Sequence, residues 1–121
     1  MSRRAEFPGE SVSVAAARRF VDSTLESMAP AVRERATLIV SELATNAVNH
    51  ARTSFVVAVA EDASAVRIEV TDSGSGVPRP RAPTLAEPHG RGLLIVGAMS
   101  DEWGVTERNV GKTVWFSLRG A

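Results

Sequence analysis

The chain has 121 residues, 44% of them apolar, which is enough for one folded core and too many for a disordered segment. Its 14 basic and 14 acidic side chains cancel, so no net field draws it to nucleic acid or an anionic membrane. With no cysteine it can hold no disulfide, thiolate nucleophile or Cys-ligated zinc. The opening MSRRAEFPGE lacks the apolar core of a signal peptide, and no run approaches the roughly 18 apolar residues of a membrane span, so a cytoplasmic protein with one domain over residues 1–121 is the expectation.

Residues 13–28 read as a helix, because Val14, Ala17, Val21, Leu25 and Met28 recur at three- and four-residue steps and Ser11 or Ser13 can cap its start. Pro30 suits the first turn of a second helix running to about Ala51, with Val32, Ala36, Ile39, Leu43 and Ala47 as its apolar stripe. Residues 54–60 are almost continuously apolar. Residues 65–72 alternate, with Val66, Ile68 and Val70 opposite Arg67, Glu69 and Thr71, so the EDAS between the two runs predicts a hairpin. A glycine- and proline-rich loop then extends from Ser73 to about Gly92, followed by a short buried helix over 92–99. Strands over 101–107 and 112–118, turning at RNVG, complete the set. Two long helices, a short one and four or five strands predict an α+β fold: a two-layer α/β sandwich whose mixed, mostly antiparallel sheet carries the helices on one face.

The stretch ELATNAVNH (42–50) does not fit a simple amphipathic helix. At about 100° per residue, Glu42, Asn46 and Asn49 lie on a shoulder beside the apolar stripe, with His50 nearer the stripe itself. Polar groups in that position need partners. They either satisfy loop backbone or face a ligand. The glycine segments favour a ligand. In DSGSG (72–76), Asp72 can accept a hydrogen bond from an exocyclic amine, and Gly74 and Gly76 can take positive φ and leave room for a flat molecule. HGRGLLIV (89–96) puts two glycines at a helix start, where free N–H groups favour phosphate. GKT (111–113) opens the last strand; neither a P-loop pattern nor a βαβ glycine fingerprint is present.

In this order the segments resemble the ATP-binding boxes of the Bergerat-fold superfamily, which includes DNA gyrase, the MutL repair proteins, heat-shock chaperones and sensor histidine kinases. ELATNAVNH resembles the N box, DSGSG the first glycine box, HGRGL the second and GKTVWF the last, over about residues 7–118. A domain of this size with ARRFV in its first helix is similar to the anti-sigma-factor serine kinases, and more closely to the stand-alone regulatory ATPases of that group common in actinobacteria. The resemblance implies ATP and Mg²⁺ as cofactors, Asn46 as the metal ligand and Glu42 as general base toward an attacking serine. It also implies that Asp72 reads adenine N6, that Gly74 and Gly76 line the base pocket, and that Gly90, Arg91 and Gly92, with Leu93 beside them, form the phosphate end of the lid. Thr113 then lies near adenine, and Asn49 contacts the α-phosphate or ribose.

Other residues remain open between a role and plain structure. Lys112 either approaches phosphate or points to solvent, and His50 reads as a hydrogen-bonded structural residue. Arg18, Arg19, Arg79 and Arg81 are docking or steering candidates or simply solvated, and Trp115 should face away from Val114 and Phe116.

The implied function is a protein-serine kinase that binds a sigma factor and phosphorylates an anti-sigma-factor antagonist, with homodimerisation implied by the resemblance alone and no nucleic-acid or membrane partner. The alternatives are a non-catalytic ATP-binding module, which would have no need of Glu42, and a fragment of a sensor histidine kinase.

Overall fold

A computed structural model describes residues 2–74 and 88–120, with backbone alone for 88–93. The elements in chain order are β1 (Ser2–Phe7), α1 (Val12–Thr24), α2 (Pro30–Asn46), a π-helical turn (Ala47–Ala51), β2 (Phe55–Glu61), β3 (Ala65–Asp72), α3 (Pro88–Met99), β4 (Glu102–Glu107) and β5 (Lys112–Arg119). The five strands form one sheet in the order β1-β2-β3-β5-β4, and all four pairings are antiparallel. The helices lie on one face: α1 against β1 and β2, α2 over β3 and β5, and α3 against β4. The predicted two-layer sandwich is the observed architecture.

The core follows from the two apolar periods. Ala17, Val21 and Leu25 of the first stripe and Val32, Ala36, Ile39, Leu43 and Ala47 of the second are buried. They meet the inward set of the sheet: Phe55, Val57 and Val59 on β2, Val66, Ile68 and Val70 on β3, and Val114, Phe116 and Leu118 on β5. Burying each of the larger side chains is worth about 1.5–3 kcal/mol.

Helix boundaries differ from expectation in three places, the third being α3, which begins at Pro88 and not at 92 and leaves Leu94 exposed. The first helix stops at Thr24, although Leu25 and Met28 beyond it are still buried in the core. The second holds α geometry only to Asn46 and then widens into the π turn. The turn ends where the Arg52 N–H donates to the Ala47 carbonyl at 2.9 Å, with Arg52 at φ 56°.

The N-terminal strand was not expected. β1 pairs Phe7 with Phe55 at the sheet's outer edge, and the Phe7 ring stacks on Phe55 with centroids 5.5 Å apart. On the opposite edge, Trp103 of β4 pairs with Phe116 on the helix side, and a Cβ added to Gly97 of α3 would lie 3.1 Å from its Nε1. Trp115 is on the other, uncovered face, as its parity predicts. Its indole has the Arg67 guanidinium 4.1 Å from the ring centroid and fits because β4 has a glycine, Gly104, beside it.

Candidate functional site

The polar residues converge where α2 crosses the C-terminal end of β3. Leu43, Asn46 and Ala47 of the helix side and Val70, Asp72, Lys112 and Val114 of the sheet line a small cavity of about 30 Å³. That is far below the few hundred Å³ of a typical ligand pocket, so the described lining alone does not enclose a whole nucleotide. A larger depression of about 520 Å³ lies by the β2–β3 hairpin, bordered by Glu61, Asp62 and Arg67. It is shallow and holds none of the candidate residues, whereas Asn46 and Asp72 both line the smaller cavity.

Asp72 is the last residue of β3 and has the same parity as Val66, Ile68 and Val70, so its carboxylate turns under the helix layer. It is 7% exposed and pairs across the sheet with Phe55 on one side and Lys112 on the other. A carboxylate in such surroundings needs a charge partner, and the Lys112 ammonium provides one, with Nζ 3.1 Å from Asp72 Oδ2.

Two glycines make this corner possible. Gly111 has φ 78°, and a Cβ there would sit 2.1 Å from the Asp72 carbonyl oxygen; Gly74 has φ 61°, and a Cβ there would sit 2.8 Å from Gly111. Both positions combine left-handed backbone with no room for a side chain, so only glycine fits without displacing the strand ends.

The structure brings together Asn46, Asp72 and Gly74 from the candidate set. Asn46 is half-buried at the end of α2, and its side chain borders the cavity. Glu42, one turn earlier, is half-buried and lies outside the cavity lining. Asn49 and His50 are exposed in the π turn. The placement of His50 toward the apolar stripe is corrected: the stripe was projected at α pitch, and the wider turn after Asn46 breaks that phase.

Thr113 is not with them. It pairs with Thr71, bonds Thr71 Oγ1 to Oγ1 at 2.8 Å, and so lies on the sheet face away from Asp72. Lys112 takes the inward place instead. Expected either to approach phosphate or to point to solvent, it shares the parity of Val114, Phe116 and Leu118, which turns it inward. Gly76 and the loop with Arg79 and Arg81 lie outside the described residues, as do the side chains of His89, Arg91 and Leu93. Gly90, Arg91, Gly92 and Leu93 fall in the first turns of α3.

The donor set fits a purine base: one buried acceptor, Asp72, in otherwise apolar walls, beside backbone kept clear of Cβ atoms. It also fits a metal held mainly by phosphate and water. The Asn46 amide oxygen, at the border of the cavity, is a hard donor of the kind such an ion accepts. Among the described residues, no helix is long and apolar enough to cross a membrane.

No curated protein matches the sequence closely enough to count as a relative. Among solved structures, that of the RsbU and RsbW domains of Rv1364c from Mycobacterium tuberculosis is similar in fold, with a TM-score of 0.79 at 20% identity. The match covers 99% of this chain but 32% of that one, so the chain spans about a third of the solved protein's length. The model of the histidine kinase-like ATPase domain matches residues 7–118, from the end of β1 to within the last strand and across every element of the cavity. With Asp72, Asn46 and the glycine corner inside that span, the chain belongs to the histidine-kinase-like ATPase domain family.

Proposed function

We propose that the chain is an ATP- and Mg²⁺-dependent protein-serine kinase and anti-sigma regulatory factor that works in the cytoplasm by partner switching. The observation that carries this is the buried Asp72 carboxylate facing Asn46 across an apolar cavity, within a family whose domain uses ATP. The fold likeness to a chain containing an RsbW domain supports the regulatory part.

Each residue has a physical task. Asp72 accepts from the adenine amine, and the walls formed by Leu43, Ala47, Val70 and Val114 hold the ring flat. Asn46 offers its amide oxygen to the magnesium ion. When bound, the ion offsets the charge of the triphosphate. Glu42, about one helical turn before Asn46, takes the proton of the partner's serine hydroxyl. The serine oxygen then bonds to the γ-phosphorus, the bond to the β,γ-bridging oxygen breaks, and ADP leaves.

Phosphorylation places about −1.5 to −2 charges on an antagonist protein. That charge would keep the antagonist from docking and free this chain to hold a sigma factor, either alone or as a homodimer.

The test is transfer of label from γ-³²P-ATP to serine of a candidate antagonist. Wild type should label it. Glu42→Ala should reduce labelling at least a hundredfold while calorimetric ATP affinity stays within about twofold. ATP binding by wild type with no labelling of any antagonist would favour the alternative, a non-catalytic ATP-binding module that holds its sigma factor without phosphorylating it.

A further inference from the structure

We propose that Lys112 is a specificity-determining residue that reads the base directly, its ammonium donating to adenine N1 while Asp72 accepts from N6. This rests on the assignment of the cavity to adenine and adds a second reader to it.

Three observations converge on Lys112. It is the only lysine in the chain, and it stands on β5 with the inward parity of Val114 and Phe116. Its Nζ lies 3.1 Å from Asp72 Oδ2 and both residues line the same cavity, so the chain presents a hydrogen-bond donor and an acceptor side by side against apolar walls. The two partners are also unequally buried: the Asp72 side chain is 8% exposed and that of Lys112 36%. The carboxylate is fixed, and the ammonium, on its flexible stem, can swing a short way to a second acceptor without leaving the first.

Adenine carries the complementary pair. Along its Watson–Crick edge an exocyclic N–H donor at N6 adjoins an acceptor at N1. With N6 on Asp72, N1 falls beside the Lys112 ammonium. In the same pose guanine would set O6 against the carboxylate and N1–H against the ammonium, acceptor to acceptor and donor to donor. Lys112 thus turns a single contact, which any exocyclic amine could satisfy, into a two-point test of the ring.

A phosphate-binding role is the rival for this residue. It is disfavoured because the ammonium is already engaged at the carboxylate, which by this assignment lies at the base end of the nucleotide.

The experiment is calorimetric titration of ATP and 1-deaza-ATP, in which N1 is replaced by C–H, into wild type and Lys112→Met. Wild type should bind 1-deaza-ATP about tenfold more weakly than ATP. Lys112→Met should bind ATP about tenfold more weakly than wild type does and should bind the two nucleotides equally. Wild type binding both equally, or Lys112→Met keeping the tenfold preference, overturns the role of Lys112 and leaves the adenine site standing. Failure of wild type to bind ATP at all overturns both. Equal binding of the two nucleotides by wild type overturns the role of Lys112 even if the variant does not fold.

Discussion

Strand β3 has an aspartate near each end, and the two do opposite things. Asp62, in the turn before the strand, spends its acceptor capacity on its own loop: Oδ1 takes the N–H groups of Ser64 at 2.8 Å and Ala65 at 2.9 Å and the Ser64 hydroxyl at 3.1 Å. Those backbone donors, Ser64 first and then Ala65, draw its carboxyl below the usual aspartate range. Asp72, at the far end, is buried, and its carboxylate pairs with the Lys112 ammonium. One carboxylate is consumed by making a turn. The other is held under the helices at the border of the cavity, where the proposed function gives it the adenine amine.

The sharpest way to break this contrast is at the glycine that shapes the Asp72 end. Gly111→Ala forces a Cβ into the Asp72 carbonyl at a left-handed residue. It should cost on the order of 3 kcal/mol in urea denaturation. A loss below about 1 kcal/mol would mean that this corner is not fixed as described.

Asp72→Asn is next. It keeps the shape but removes the charge, and it should weaken ATP binding about tenfold or more by calorimetry, with a smaller effect on the urea midpoint. Unchanged affinity would place Asp72 alongside Asp62 as a structural residue.

The smallest effect belongs to Asp62→Asn. A depressed folded-state pKa contributes stability that is present above the unfolded value and lost as pH falls through the folded one. The wild type should therefore exceed the variant slightly at pH 7. The gap should close as pH drops from about 4 downward; a gap independent of pH would show that the charge of Asp62 is irrelevant to its turn.

Most of the layer architecture was legible because burial imposed a period. Val66, Ile68 and Val70 alternate so regularly that β3 was bounded at 65–72 as observed, and the α2 stripe placed its helix. β1 escaped notice because an edge strand covers little core: of its inward residues Arg3, Ala5 and Phe7, only Phe7 is a large apolar group. The π turn could not be read at all, since a one-residue change of pitch leaves no mark in composition, and the angles assigned to Asn49 and His50 failed with it.

At the start of β5 the strand alternation and the motif point to different residues. The alternation that sets Val114 and Phe116 inward also sets Lys112 inward, whereas the likeness of GKTVWF to a known box singles out its threonine. Period carried more information there than the motif.

The two indoles of this chain report on different sides of the sheet. Trp103 is packed near Gly97 of α3, while Trp115 lies on the bare face beneath Arg67. With no tyrosine to contaminate the signal, emission can be split by replacing either indole in turn. A small molecule that draws α3 toward the sheet would then be seen through Trp103, and a protein that settles on the bare face would be seen through Trp115. The chain thus carries its own pair of optical labels, one for each side of the sheet.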